Sequence, residues 1–230
     1  MPPADDLFAH VRPTLDGLRE AARPGRRLRI ARPPRAIAFS RRDERLAGFT
    51  RAVAVARAHG FAAAVRPVGG TFAPLHEGSL VVDEFGWSPG GEWPGERFDR
   101  HAAMLAEVFA SCGIDARLGE VAGEYCPGAH SVNRAGQVKL SGTAQRVARG
   151  AWLVSSVVQV GPVAALRDVT ARVADALGQI VDVSTIGALA DTVPGLTAAE
   201  VASRIAERFA ADGVVDVDYV SLPPDGSSAA

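Results

Sequence analysis

The chain has 230 residues, 47% of them hydrophobic and only 6% aromatic, which suffices for a core built mainly of Ala, Val, Leu and Ile. Its formal net charge of −1 argues against a general nucleic-acid binder, because phosphate neutralisation needs a basic excess. Two cysteines, no charged-then-apolar N-terminal pattern and no apolar stretch of transmembrane length lead us to expect a cytoplasmic protein that engages neither membrane nor nucleic acid.

Asp5 and Asp6 cap an expected helix over residues 7–22, with Leu7, Val11, Leu15 and Leu18 at helical spacing and Pro13 disturbing its first turns. Strand candidates at 27–31 and 35–40 flank the Pro33-Pro34 break. A helix over 42–59 closes at Gly60, and an apolar strand over 61–68 runs into Gly69-Gly70. Residues 71–75 and 79–84 read as a strand pair joined at His76-Glu77-Gly78. A turn-rich loop over 85–97 follows, then a helix over 98–111 bounded by Gly113.

A strand over 115–121 feeds the segment 123–130. Beyond it lies a meander of period-2 character: 131–133 turns through Arg134-Ala135-Gly136 into the strand that carries Lys139, and 152–160 completes it after Gly150. Helices are expected over 162–177, 185–193 and 198–211, the last opened by a Thr197-x-x-Glu200 capping box. Residues 222–230 read as a disordered tail behind a single domain over 1–221. This order predicts an α+β fold, a central mixed and largely antiparallel sheet flanked by helices.

Among 25 basic residues Lys139 is the single lysine; every other one is arginine. Arginine is a planar fork that stays charged, whereas lysine is a compact point charge whose pKa moves on burial, so the exception points to a position that needs an ammonium. Gly142, Thr143 and Ala144 after it are small enough to let a ligand approach the backbone. Gly69-Gly70 behind Arg66 at a strand end offers exposed N–H groups and a guanidinium to a carboxylate or phosphate, and His76 lies six residues further on.

Cys126, flanked by Pro127-Gly128, belongs to a loop. A nearby cation, His130 or Lys139, would lower its thiol pKa into a working range. Cys112 reads as core packing and the Ser155-Ser156 pair as structural. The five histidines are dispersed, with no metal-ligand spacing, so no metal site is expected.

Three stretches resemble the lipoate–protein ligase and octanoyltransferase family, the group that also includes biotin–protein ligases. Arg66-Pro67-Val68-Gly69-Gly70 through His76-Glu77-Gly78 is similar to the family's R-R-x-x-G-G…H loop, with Pro67 in place of the second arginine. Residues 138–146, Val-Lys-Leu-Ser-Gly-Thr-Ala-Gln-Arg, resemble its K-(I/V/L)-x-G-(S/T)-A-Q-R signature, and residues 32–40 resemble the strand pair before them. The resemblance implies a catalytic domain of the biotin/lipoate ligase type. It also implies that the glycine loop embraces an acyl chain or adenylate, that Lys139 contacts the acyl carbonyl, and that Cys126 stands where the transferring members keep a nucleophilic cysteine.

Three readings follow. The leading one is a ligase that uses ATP and Mg2+ to form an acyl-adenylate and passes lipoyl or octanoyl to a lysine of a lipoyl domain, on a 2-oxoacid dehydrogenase E2 or the glycine cleavage H protein. The second is a cofactor-free transferase in which Cys126 takes octanoyl from acyl carrier protein as a thioester. The third is a non-catalytic acyl-binding protein. For either enzyme, replacing Lys139 by Ala or Arg is expected to abolish transfer without unfolding the chain.

Overall fold

The computed structural model describes residues 7–88 and 93–221. Its strands and helices, in chain order, are α1 (Val11–Ala21), β1 (Gly25–Ala31), β2 (Ala36–Phe39), α2 (Phe49–Ala58), β3 (Ala62–Val65), β4 (Ala73–Leu75), β5 (Ser79–Trp87), α3 (Pro94–Ser111), β6 (Ala116–Leu118), β7 (Val132–Arg134), β8 (Val138–Ala148), β9 (Ala151–Gln159), α4 (Ala164–Leu177), α5 (Ala198–Ala211) and β10 (Asp216–Val220). Seven strands make one sheet in the order β10-β1-β5-β9-β8-β7-β6, and three make a second, β3-β2-β4. The large sheet is antiparallel except where β10 lies parallel to β1.

Alternation along the large sheet gives it two apolar faces. Leu28, Ile30, Leu80 and Val82 point towards α3 and α5 and meet Phe109 and Phe209. On the other face Val81 and Val157 pack under the small sheet and α4, with Phe39, Phe72 and Leu166, while α1 covers the rest, its Val11 and Leu15 packing on Phe85 of β5. The α+β expectation and the β7–β8–β9 meander are as observed, and the Thr197/Glu200 capping box opens α5.

Several elements differ from expectation for identifiable reasons. The first helix begins at Val11, not at residue 7, which places Pro13 third, where a backbone N–H has no partner inside the helix. The capping role given to Asp5 and Asp6, and the tail over 222–230, lie outside the described residues. The segment 42–59 opens instead as a single 3-10 turn, Asp43–Arg45, because the buried Asp43 carboxylate captures both the N–H and the hydroxyl of Ser40, each at 2.8 Å. A true helix starts only at Phe49. Gly48, just before it, lies against α4 so closely that a Cβ would stand 1.8 Å from the Ala176 carbonyl oxygen. Gly48→Ala should therefore lower stability by about 1–3 kcal/mol, since the helix pair must part to admit a methyl group. A thermal melt checks this, and an unshifted midpoint would show that α2 and α4 part without cost.

The strand candidates at 27–31 and 35–40 both form, and so do those at 71–75 and 79–84, but the latter do not pair with each other as expected. In each case one strand joins the large sheet and the other the small one. Pro33-Pro34, without N–H donors, releases the chain from the large sheet after β1. The return crossing uses His76–Gly78, where Gly78 packs on Gly161 so closely that a Cβ on it would lie 3.1 Å from the Gly161 Cα.

Strands 61–68 and 115–121 are shorter than expected, at Ala62–Val65 and Ala116–Leu118. The loop expected over 85–97 is cut from both sides: β5 runs on to Trp87, and α3 starts at Pro94, whose missing N–H suits the first helical position. The helix expected over 185–193 is replaced by two 3-10 turns, Val183–Thr185 and Leu189–Asp191. Its backbone donors are spent on the sheet instead, Gly187 N–H on the Lys139 carbonyl at 3.1 Å and Ala190 N–H on that of Val160 at 3.0 Å.

Candidate active site

The site is built on an irregularity in β8. Val132 of β7 faces Ser141, yet its neighbour Asn133 faces Lys139, so Leu140 is an extra residue on β8. Leu140 goes into the core under α3 and α5. The bulge leaves Lys139 and Gly142 side by side: a Cβ at Gly142 would stand 2.8 Å from Lys139 Cε and 3.1 Å from Nζ. The glycine in the signature is thus room for the lysine's own side chain.

Lys139 is 1% exposed. Its ammonium donates to Glu124 Oε1 at 3.1 Å and to the carbonyls of Tyr125 and Cys126, both at 2.9 Å, and sits 4.7 Å from the centre of the Tyr125 ring. Burial pushes its pKa down; Glu124 and Cys126 oppose this without cancelling it, so the net position is below the usual lysine value.

Cys126 occupies the turn that these carbonyls come from, with a left-handed φ of 44°. Its Sγ accepts from Arg66 Nη2 and from the Thr71 backbone N–H, each at 3.3 Å. Burial raises the thiol pKa, but the Arg66 and Lys139 charges and the Thr71 N–H outweigh it, and the net shift is downward. Arg66 is itself held by the Thr71 carbonyl.

Gly70 has φ +88°, and a Cβ there would lie 2.6 Å from Cys126 Sγ and 2.9 Å from Arg66 Nη2. Of the glycine pair, Gly70 is the one that must lack a side chain; a Cβ on Gly69 would meet nothing within 4 Å. Gly70→Ala should displace the sulfur from its two donors, cutting Cys126 alkylation by iodoacetamide at least about tenfold, which is the weight of one to two kcal/mol of thiolate stabilisation. Wild-type alkylation kinetics in this variant would refute the role given to Gly70.

Lys139, Cys126, Arg66, Gly70 and Gly142 therefore converge, an approach of Cys126 to Lys139 that a sequence separation of 13 permits but does not require. Thr143 does not join them. Its hydroxyl lies on the far face of the sheet, 2.8 Å from Ser156 Oγ, which meets His101 Nε2 at 2.9 Å, and His101 Nδ1 meets Glu84 at 2.9 Å. Ala144 is core, packed with Val11 and Val68. His76 is not in a hairpin turn but buried at the crossing between sheets. Its Nδ1 accepts from Gly78 N–H at 3.1 Å, and burial pushes its pKa down.

His130, a sequence candidate for the cation beside Cys126, is taken up elsewhere. It bonds Asp99 at 3.0 Å and stacks on Phe98 with ring centres 4.6 Å apart, so Arg66 plays that part. Among the described residues no cluster of three or more His, Cys, Asp or Glu stands ready for a metal ion, and no helix is long and apolar enough to cross a membrane.

Sequence reasoning missed Glu124, Tyr125 and the Thr71 amide. The signal for Glu124 and Tyr125 was their position directly before Cys126; nothing in the sequence marks a backbone N–H.

No family model matches the chain. A stretch of 108 residues, 47% of the chain, is 32% identical to the Octanoyl-[GcvH]:protein N-octanoyltransferase of Exiguobacterium sibiricum, covering 39% of that protein. A stretch of 112 residues is 30% identical to the enzyme of the same name in Geobacillus kaustophilus, covering 38% of it. The chain thus spans only about two-fifths of the curated relatives it matches.

Among solved structures, a bi-partite lipoate protein ligase from Thermoplasma acidophilum superposes with a TM-score of 0.65 at 16% identity, over 96% of this chain and 86% of that one. A lipoate-protein ligase A bound with ATP superposes at 0.63 and 18% identity, over 91% and 83%. The chain has the fold of the lipoate–protein ligases and, along half its length, a sequence like that of octanoyltransferases.

Proposed function

We propose that the protein is a cysteine-dependent acyltransferase that moves an octanoyl group to a lysine of a lipoyl domain. One observation carries this: Cys126 Sγ rests on Arg66 Nη2 and the Thr71 N–H, beside a buried ammonium, with Gly70 keeping the sulfur uncovered. That is the environment of an activated nucleophile. The name carried by the two sequence relatives supports the same chemistry and suggests octanoylated H protein as donor and a second protein as acceptor; a 2-oxoacid dehydrogenase lipoyl domain is the acceptor we propose. Acyl carrier protein is the alternative donor.

In the first half-reaction the Cys126 thiolate attacks the donor carbonyl. A C–S bond forms, the donor's C–S or C–N bond breaks, and the leaving sulfur or nitrogen takes from solvent a proton equivalent to the one the Cys126 thiol released on ionising. In the second, the neutral amine of the acceptor lysine attacks the thioester, the C–S bond breaks as the amide forms, Cys126 departs as thiolate, and the proton lost by the amine passes to solvent. Arg66 and the Thr71 N–H stabilise that thiolate before and after each step.

The ligase reading keeps one observation in its favour, the ATP-bound structure of the same fold. Against it stands Pro67, where a second arginine would grip a phosphate.

Intact mass after incubation with octanoyl-acyl carrier protein or octanoylated H protein, without ATP, tests the proposal. One octanoyl adduct that hydroxylamine removes is the expected result. No adduct, with ATP-dependent acylation of an added lipoyl domain, would replace the transferase by the ligase. Silence in both would leave an acyl-binding protein.

A further inference from the structure

We propose that Glu124 is a positioning residue: it holds Lys139 charged and turned onto the backbone of the Cys126 turn, so that Lys139 shapes the nucleophile. This rests on the reading of Cys126 as the nucleophile.

The ammonium has three N–H donors, and Glu124 Oε1, the Tyr125 carbonyl and the Cys126 carbonyl take all three. It has none to offer a substrate without giving one up. Donors left without a partner are Arg66 Nε and the Thr71 hydroxyl, on the two residues that also donate to the sulfur.

Glu124 is as fully committed as the lysine. Oε1 also accepts from Ser131 Oγ at 2.6 Å and from Gly128 N–H at 3.2 Å, while Oε2 accepts from Val121 N–H at 3.2 Å. One carboxylate thus ties both flanks of the Cys126 turn to β8.

The groups that face Lys139 are Glu124, Cys126, Arg66 and the Tyr125 ring. Asp182, on the turn packed against Gly123, is occupied by Ser184. Burial, and after it Arg66, work to remove the lysine's proton; Glu124 and Cys126 keep it on. With the Glu124 charge gone, the same burial favours the neutral amine, and the sulfur loses one of the two cations beside it.

Because Lys139 is the single lysine, protein grown on 15N-lysine gives one side-chain ammonium signal that needs no assignment. The pH titration of that signal, alongside iodoacetamide alkylation read by mass on the Cys126 peptide, tests the role. In Glu124→Gln the lysine should lose its proton at least one pH unit below wild type, and alkylation at pH 7 should fall several-fold. Glu124→Asp should recover part of both.

An unchanged lysine midpoint and unchanged alkylation in Glu124→Gln would overturn the proposal. If that variant does not fold, Ser131→Ala decides instead. It frees the carboxylate from one other donor and leaves the pair intact, so both readouts should stay at wild type. Losses there as large as those of Glu124→Asp would show that Glu124 acts only by knitting the loop. Neither readout needs an acyl donor, so a failure of the transferase reading would be seen separately, as absence of the octanoyl adduct.

Discussion

Cys126→Ala is expected to abolish acyl transfer, a fall of at least about 1000-fold in turnover, because in the proposed mechanism it removes the sulfur that carries the acyl group and with it the two-step route. The fold should survive. Cys126 is on a loop, its sulfur accepts only two long hydrogen bonds of 3.3 Å, and the carbonyl that Lys139 grips belongs to the backbone. The measurement is octanoylation of an added lipoyl domain followed by mass, with circular dichroism as the control. Residual activity within tenfold of wild type would mean that the acyl group never rests on this sulfur.

Lys139→Met is expected to have the largest effect on stability. The substitution leaves the Glu124 carboxylate, 3% exposed, without its cation. Breaking a buried pair from one side costs about 3–5 kcal/mol, far more than the net value of the pair, because a desolvated charge is left uncompensated. Against a total of roughly 5–15 kcal/mol for a domain, that brings the chain close to unfolding.

This departs from the expectation, drawn from the sequence, that a change at Lys139 would silence the protein without unfolding it; burial of the lysine makes it structural as well. Urea denaturation reads the loss. The double variant Lys139→Met/Glu124→Gln should regain part of it, since no unpaired charge remains. An unshifted midpoint in the single variant would show that the carboxylate finds water or takes up a proton at little cost.

How much of this was legible beforehand depended on the kind of signal. The β7–β8–β9 meander could be read because alternation and glycine turns are local, and α5 because its capping box is. The division into two sheets was not legible. Whether β4 pairs with β5 or with β2 is decided by contacts far apart in the chain, and both choices satisfy the same short apolar strands. β10 was overlooked because Asp216 and Asp218 are poor strand formers, and its stability comes from β1 alongside.

At the site, Lys139 announced itself by being the sole exception to arginine, and Gly70 by the glycine pair. Thr143 was misread because the bulge at Leu140 moves the register and turns it to the other face, and Ala144 because, further along β8 on the site's own face, it is covered by α1. Glu124 carried no sign of its partner, since the ion pair spans two segments.

The buried lysine has one further consequence. A protein that handles activated acyl groups is exposed to its own reagent, and surface ε-amines are the usual casualties of stray thioesters. Here the only ε-amine lies beneath the Tyr125 ring at 1% exposure, its three hydrogens already committed. The surface cations are guanidinium groups, which stay protonated and do not attack acyl carbon at neutral pH. The arginine-only exterior thus leaves no surface ε-amine to be acylated by the chemistry proposed for the interior.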